Sequence, residues 1–266
     1  TVGEALAQAP VDAISITGST RAGKRVAEIA SQNLHKFILE LGGSDPFVVL
    51  KDADVDKAAE IGVASRFLNN GQSCIAAKRF IVQEEVLEEF TKKFQEHVEK
   101  QIVGDPLDPK TTIGPLVRGN SREVITKQIS ESTSAGAKIL TGGNAPNGTG
   151  FFFNPTILTH VQPEMSVSRE EVFGPVAPII SVKNPIQAIK IANDTEFGLG
   201  SSIWSEKYAI ENNLAKDIDA GMVYINSMVI SDPRVPFGGV KNSGIGRELS
   251  DYGIKEFVNV KSVIIN

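Results

Sequence analysis

Short apolar runs rich in β-forming residues alternate with amphipathic stretches along most of the chain, and this alternation constrains the fold more than any other feature of the sequence. Strands that alternate with helices favour a parallel sheet whose faces are covered by those helices. The runs predicted as strands are residues 14–17, 37–41, 47–50, 79–82, 139–141, 177–182, 201–204 and 222–225. The sequence therefore predicts an α/β protein.

Two of the intervening helices have clear signals. In residues 84–101 the apolar side chains recur every four positions, which places them on one face against a core. A second helix is predicted to begin at Asn184, because an asparagine can cap the free backbone donors and Pro185 suits the first helical position. Residues 141–150 and 226–246 are dense in Gly, Asn or Pro and are predicted as loops.

Composition excludes several classes of function. A formal net charge of -5 offers no basic field for nucleic acid. No run of about 18 apolar residues is present, and the first 20 residues hold two acids and no basic residue, so neither a membrane span nor a signal peptide is predicted. With one cysteine and three scattered histidines, we expect a cytoplasmic protein with no disulfide and no metal site.

Three short segments could carry chemistry. An apolar run leads into Gly18 and Ser19 and then into a helix, and such a helix start can hold a phosphate through its free N–H groups. Glu40 and Cys74 each lie in a glycine-containing turn after a regular element, so they could serve as base and nucleophile. Considered singly, a solvated strand end for Glu40 and a buried packing residue for Cys74 remain the commoner roles.

The order of these segments resembles the aldehyde dehydrogenase superfamily along the whole chain. Residues 18–23 resemble the family's phosphate-contacting turn, residues 40–43 its glutamate motif and residues 71–74 its cysteine motif. Residues 171–176 match the stretch whose glutamate holds the nicotinamide ribose, and residues 236–248 match the closing segment. Each motif alone is only moderately specific, whereas five in the family's order make a chance match very improbable.

The resemblance implies a fold, a cofactor and roles for particular residues. It implies a parallel-sheet catalytic domain joined to a partial Rossmann-type cofactor domain, with NAD or NADP as the cofactor. Cys74 would be the nucleophile, which forms a thiohemiacetal and then a thioester, and Glu40 would activate the water that releases the acid. The residues implied to bind the cofactor are Gly18, Ser19, Gly23, Leu41, Glu171 and Phe173.

The resemblance also implies a domain organisation. Residues 1–42 would belong to the cofactor-binding domain, residues 43–242 to the catalytic domain and residues 243–257 to a segment that returns to the cofactor domain. Residues 258–266 would form a strand that pairs with another subunit, so a homo-oligomer, either a dimer or a tetramer, is expected. In the family, an oxyanion asparagine and an adenosine-binding lysine segment lie upstream of the region that this sequence covers.

The substrate and the activity of the chain by itself stay open. The loop around Ser231 resembles the succinate-semialdehyde branch, where a serine at this place helps to hold the substrate carboxylate. Leu68 stands where some members of that branch carry an arginine, so a less polar aldehyde is the alternative. The chain could also be an inactive or partner-dependent fragment with a structural role. A cysteine hydrolase is disfavoured because none of the histidines lies in a recognisable motif.

Overall fold

The computed structural model describes residues 2–266, and their strands form two sheets. In chain order the strands are β1 (Ala13–Thr17), β2 (Lys36–Glu40), β3 (Asp45–Val49), β4 (Ala77–Gln83), β5 (Lys138–Thr141), β6 (Thr156–Thr159), β7 (Val176–Val182), β8 (Gly200–Trp204), β9 (Met222–Ile225) and β10 (Gly244–Ile245). The larger sheet has the order β5-β6-β7-β4-β3-β8-β9. All neighbours in it are parallel except β5 and β6, which are antiparallel.

The smaller sheet has the order β1-β2-β10. β1 and β2 are parallel, with Thr17 opposite Glu40, and β10 pairs antiparallel with β2 so that Gly244 lies opposite Glu40. Gly244 has a φ of 149°, and a Cβ atom there would lie 1.9 Å from the carbonyl oxygen of Leu39. Only glycine therefore permits the end of the chain to return beside β2, at the point where Glu40 leaves the sheet.

Nine α-helices connect the strands within residues 2–266: α1 (Val2–Ala7), α2 (Thr20–Gln32), α3 (Val55–Phe67), α4 (Glu84–Val98), α5 (Gly119–Ser134), α6 (Ser166–Arg169), α7 (Pro185–Asn193), α8 (Tyr208–Glu211) and α9 (Ser250–Lys255). α3 and α4 cover one face of the larger sheet through an aromatic cluster of Phe47, Phe80, Phe90, Phe94 and Trp204. A second core of aliphatic side chains lies on the other face, under α5 and α7. The sheet is thus buried on both sides, as parallel sheets are.

The predicted α/β pattern is confirmed, with shifts at the ends of elements. Each of the eight predicted strands is present, and residues 222–225 have the predicted bounds. The helix predicted over residues 84–101 ends at Val98, and Asn184 caps α7 by accepting a hydrogen bond from the Gln187 N–H at 2.9 Å. β6 was not predicted, and the loop predicted over residues 226–246 contains the short strand β10.

None of the helices within residues 2–266 is long and apolar enough to cross a membrane. Over the same residues, His, Cys, Asp and Glu side chains do not gather into a group of three that could hold a metal ion. Residues 258–266 are exposed and form no strand in the single chain, so their predicted pairing with another subunit stays a prediction.

Candidate active site

One cavity of about 670 Å³ brings most of the predicted site residues together. Its walls come from the end of β1, the segment after β2, the turn that holds the cysteine, the start of α5 and the segment before β7. Of the nine predicted site residues, the six on its walls are Gly18, Ser19, Leu41, Cys74, Glu171 and Phe173. Glu40, Gly23 and Ser231 do not line it.

Gly18 and Ser19 form the turn between β1 and α2. Ser19 caps this 13-residue helix, and its hydroxyl accepts a hydrogen bond from the Ala22 N–H at 3.3 Å. A Cβ atom at Gly18 would meet only the Ile16 side chain, at 3.7 Å, so the space in front of the turn is open. An open helix N-terminus with a small residue before it suits a phosphate group, since the helix dipole and the remaining free N–H groups favour an anion.

Gly23 contributes to this region by packing. It lies buried inside α2, and a Cβ atom there would be 2.4 Å from a methyl carbon of Leu41. The glycine therefore lets the helix approach Leu41, which itself lines the cavity. Contact between Gly23 and a cofactor, as the family resemblance implies, stays a prediction.

The turn that holds Cys74 follows three consecutive residues with left-handed backbone: Asn69 (φ 50°), Asn70 (φ 58°) and Gly71 (φ 73°). This conformation is unfavourable for most residues, although asparagine and glycine tolerate it. The fully buried guanidinium of Arg66 holds the segment by donating hydrogen bonds to the carbonyls of Gly71 at 2.9 Å and Gly174 at 2.6 Å. The strained backbone is thus fixed from inside the protein.

Side chains of the same segment bind the loop before α5. The Asn70 amide oxygen accepts a hydrogen bond from the Gly114 N–H at 2.8 Å, and the Gln72 side-chain oxygen accepts one from the Val117 N–H at 2.9 Å. These contacts bring Arg118 and the start of α5 to the same cavity wall as Cys74.

A second buried cation lies beneath Cys74. Lys78, on β4, is fully buried, and its ammonium group donates hydrogen bonds to the carbonyls of Ser73 at 2.9 Å and Cys74 at 2.8 Å. Its Nζ also lies 3.7 Å from Glu171 Oε1. Burial raises the pKa of the half-buried Cys74 thiol, and the charge of Lys78 opposes that rise.

Glu171 links the segment before β7 to the glycines that follow β2. Its Oε1 accepts a hydrogen bond from the Gly43 N–H at 3.0 Å. A Cβ atom at Gly42 would lie 2.5 Å from its Oε2, so a residue larger than glycine would displace the carboxylate. Phe173, two residues further on, is 42% exposed on the cavity wall. A hydrogen-bond acceptor and an exposed ring therefore line the same side of the cavity.

Glu40 lies behind the wall rather than on it. Its side chain is buried, and neither carboxyl oxygen accepts a hydrogen bond from the described residues. A Cβ atom at Gly238 would lie 2.7 Å from Glu40 Oε1, which places the carboxyl group against the closing segment. Burial, assisted by the negative charge of Glu248, raises the pKa of Glu40 to about 8, although Arg247 opposes the shift. In this conformation the carboxyl group of the predicted base lies against the closing segment and does not line the cavity that the predicted nucleophile lines.

The remaining predicted residue, Ser231, is exposed in the loop after β9. Its predicted contact with a substrate carboxylate therefore stays a prediction.

The buried charges that support the site were not predicted from the sequence. Asp45, at the start of β3, accepts a hydrogen bond from the Gly200 N–H at 3.1 Å, and burial raises its pKa to about 6. Arg66 and Lys78 were missed as well. The sequence does contain a signal for Lys78, because Lys78 and Arg79 interrupt a strand that is otherwise apolar over residues 76–82. Cations are almost never fully buried unless they are paired, so such an interruption indicates a structural or functional charge.

Comparison with known proteins gives the chain a family. The aldehyde dehydrogenase family model matches residues 1–263. A relative from Mycobacterium ulcerans (strain Agy99) with the name succinate-semialdehyde dehydrogenase, NADP(+), is 47% identical over 253 residues, which are 95% of this chain and 55% of the relative. The protein of that name from Mycobacterium leprae (strain TN) is 46% identical over 263 residues, or 98% of this chain and 58% of the relative.

Solved structures agree with the family model. The crystal structure of an NADP-dependent enzyme of E. coli is 41% identical with a TM-score of 0.95, and the match covers 98% of this chain and 54% of that one. Lactaldehyde dehydrogenase from Escherichia coli is 34% identical with a TM-score of 0.96, over 99% of this chain and 56% of that one. This chain thus spans somewhat more than half the length of the relatives that it matches. The chain belongs to the aldehyde dehydrogenase family, and the predicted fold is confirmed.

Proposed function

We propose that this member of the aldehyde dehydrogenase family forms the catalytic part of an enzyme that oxidises an aldehyde to its carboxylic acid with NAD or NADP. The observation that carries the proposal is the single cavity on which Cys74, the Gly18–Ser19 turn and Glu171 meet. A nucleophile, an anion-binding helix start and a carboxylate that can accept hydrogen bonds from a ribose are the groups that such a reaction requires.

The residues on the cavity fit a dinucleotide. The open start of α2 can hold the pyrophosphate, Glu171 can accept hydrogen bonds from the nicotinamide ribose, and Leu41 and Phe173 offer apolar surface beside it. The chemistry that NAD or NADP supplies when bound is the acceptance of a hydride from the carbon attached to Cys74.

The chain's own residues account for the other steps. The Cys74 thiolate attacks the aldehyde carbon, a sulfur–carbon bond forms, and the tetrahedral oxyanion needs a hydrogen-bond donor such as the Cys74 N–H. Once the hydride has left, a thioester remains on Cys74. Glu40 takes a proton from water, the resulting hydroxide attacks the thioester, and the sulfur–carbon bond breaks to release the acid and regenerate the thiolate. This role requires the Glu40 side chain to rotate from Gly238 toward the cavity, where it leaves the burial that keeps it protonated and can act as a carboxylate.

Succinate semialdehyde is the substrate that we propose. Relatives that are 46–47% identical carry its name, and the loop with Ser231 resembles the corresponding loop of that branch. The test is a steady-state assay of the full-length protein that contains this chain, with succinate semialdehyde, an aliphatic aldehyde of similar length and both cofactors. A higher kcat/KM for the aliphatic aldehyde would contradict the substrate, whereas no oxidation of either would contradict the function.

The alternative of a non-enzymatic, partner-dependent fragment has no observation in its favour. We nevertheless expect residues 1–266 expressed alone to bind the cofactor weakly and to turn over negligibly, because the family's oxyanion asparagine and adenosine contacts lie outside this sequence. Loss of one oxyanion donor typically costs about 10²–10³ in rate. Calorimetric titration with NAD and NADP checks this, and micromolar affinity together with fast turnover would contradict it.

We also propose that the protein assembles as a homo-oligomer through residues 258–266. This segment is exposed along its length, and Val260, Ile264 and Ile265 are 95%, 85% and 91% exposed. β-Branched residues in a row favour a strand, and pairing with a second copy would cover their apolar surface. Deletion of residues 258–266 should lower the oligomeric mass measured by light scattering, and an unchanged mass would contradict the assembly.

A further inference from the structure

We propose that Lys78 is a positioning residue for the reaction proposed above: its buried ammonium group holds the Ser73–Cys74 peptide so that the Cys74 N–H faces the cavity as an oxyanion donor. The inference rests on the proposed function, because only that reaction gives the oxyanion. It concerns the supporting layer beneath the nucleophile, where the structure places a charge that no part of the mechanism has used.

The contacts of Lys78 are directed at the turn that holds Cys74. All three ammonium protons have acceptors, since the Nζ atom lies 2.9 Å from the carbonyl oxygen of Ser73, 2.8 Å from that of Cys74 and 3.3 Å from that of Ala76. The side chain is 0% exposed, so no water shell competes for these bonds. Charge-assisted hydrogen bonds inside a protein are about twice as strong as neutral ones. The turn therefore has one strongly preferred orientation.

Planar peptide geometry converts this orientation into a direction for the Cys74 N–H. In a trans peptide the C=O and N–H bonds point to opposite sides. Because Lys78 holds the Ser73 carbonyl toward the interior, the N–H of the same peptide must point away from Lys78. That N–H donates no hydrogen bond to any described residue, and both Ser73 and Cys74 lie on the cavity wall. The donor is thus free to bind an oxyanion formed at Cys74.

Electrostatics gives Lys78 a second, measurable effect on the same group. The charges around the Cys74 thiol are Lys78, Asp45 and Glu171, and of these only Lys78 favours the thiolate. The Nζ atom lies 3.7 Å from Glu171 Oε1, so the cation also neutralises the carboxylate that shares the cavity. Removal of the charge should therefore raise the pKa of the thiol, in addition to loosening the peptide.

Alkylation of the full-length protein by iodoacetamide tests the charge, because this reaction has no oxyanion. The rate is measured between about pH 6 and pH 10 in wild type, Lys78→Met and Lys78→Gln. We expect the rate near neutral pH to fall about tenfold in both variants, as for a rise of about one pKa unit, with the limiting rate at high pH unchanged. The matched control is Arg79→Met. This variant loses an equally buried cation that donates to the carbonyls of Ser44, Ile191 and Ala192 rather than to the Cys74 turn, so it should leave the profile in place.

Acylation by p-nitrophenyl acetate then tests the N–H. The thiolate attacks the ester carbonyl, a tetrahedral oxyanion forms, and p-nitrophenolate leaves as the thioester is made, so no cofactor is needed. We expect the ratio of acylation rate to alkylation rate to fall a further tenfold or more in Lys78→Met, since the loss of one oxyanion donor typically costs about 10²–10³. An unchanged ratio would overturn the positioning role.

The choice of variants and of assays separates failure of this inference from failure of the proposed function. Lys78→Gln is shorter and uncharged, so it should lower the ratio in the same way, and it replaces Lys78→Met if that variant does not fold. Neither assay contains an aldehyde or a cofactor. A protein that fails to oxidise aldehydes would therefore refute the proposed function, whereas unchanged alkylation and acylation in the Lys78 variants would refute this inference alone.

Discussion

The two turns that carry the proposed chemistry are held in opposite ways. The turn around Cys74 is fixed by two fully buried cations, Arg66 and Lys78, which donate hydrogen bonds to the carbonyls of Gly71, Ser73 and Cys74. The Glu40 carboxyl group is also buried, yet neither of its oxygens has a hydrogen-bond partner among the described residues. The same family motifs thus produce one rigid site and one poorly satisfied side chain.

This difference has an energetic meaning. Each buried charge under Cys74 is compensated by several hydrogen bonds, which stabilise both the charge and the strained backbone around it. A buried carboxyl group without a partner costs about 1–3 kcal/mol, and rotation toward the open cavity, where water can reach the oxygens, can recover part of that cost. A nucleophile needs a fixed position, whereas a base that acts only after the thioester exists can occupy another conformation until that step. The contrast therefore matches the order of the proposed steps.

The largest expected effect comes from replacing the nucleophile in the rigid turn around Cys74. Replacement of the thiol in Cys74→Ser should lower aldehyde oxidation by the full-length protein about 10⁴–10⁶-fold, since a serine hydroxyl is far less ionised. Cofactor affinity, measured by titration, should stay within about threefold, because Arg66 and Lys78 hold the turn through its backbone carbonyls and the substitution leaves these bonds in place. A large fall in cofactor affinity would mean that Cys74 supports the fold of the site.

The second test removes a support of the same turn. Arg66→Met leaves buried carbonyls at Ala77, Gly71 and Gly174 without their donor, so we expect the free energy of unfolding to fall by about 3–5 kcal/mol. Urea denaturation of the full-length protein measures it. As a control, Lys93→Met breaks the exposed ion pair with Asp56, whose attraction is screened by solvent, and should change the free energy of unfolding far less. Equal effects of the two variants would refute the special rigidity of the Cys74 turn.

The third test addresses the base. Because Glu40 is proposed to act after the hydride has left, Glu40→Gln should show a normal burst of NADH or NADPH followed by turnover about 10²–10⁴-fold slower than wild type. Stopped-flow absorbance separates the two phases. Loss of the burst itself would mean that Glu40 helps to ionise the Cys74 thiol before the hydride leaves. The proposed difference between a fixed nucleophile and a base that moves later would then be wrong.

The strands could be predicted because they depend on local signals, and local signals also selected six residues that share one cavity. Apolar runs define the strands, and Gly18 and Cys74 lie in turns whose residues are recognisable by type and order. α3, by contrast, escaped prediction: its buried face includes Ser65 and Arg66, so polar residues occur on both sides of the helix and its apolar periodicity is weak.

The positions of charged side chains could not be predicted in the same way. Lys78 reaches Glu171 across 93 residues of sequence, and Glu40 meets Gly238 only because β10 returns beside β2. Such contacts depend on the packing of distant segments and on side-chain rotation, neither of which has a local sequence pattern. The resemblance to the family implied that Glu40 is a base, but not that its carboxyl group would lie outside the lining of the cavity that holds Cys74.

The smallest predicted effect concerns stability and its dependence on pH. Glu40 has a pKa of about 8 in the folded chain, compared with an ordinary value of 4.5. Between these values the unfolded chain has lost the proton and the folded chain has kept it, so the folded state binds more protons. The contribution of Glu40 to stability therefore falls as the pH rises from about 4.5 to about 8, and the penalty is complete above that range.

Glu40→Gln keeps the shape of the side chain and removes the titration, so the variant should gain stability over wild type as the pH rises. We expect near equality at about pH 4 and an advantage of roughly 1–3 kcal/mol at about pH 9, smaller than the ~5 kcal/mol that the full pKa shift corresponds to, because the ionised side chain can rotate toward solvent. Urea denaturation of both proteins at each pH measures the difference, and Glu206→Gln, at an exposed position, serves as the control. An advantage that does not grow between the two pH values would mean that Glu40 finds a hydrogen-bond partner or solvent when it ionises. The Glu40 carboxylate would then be as well satisfied as the polar groups of the Cys74 turn.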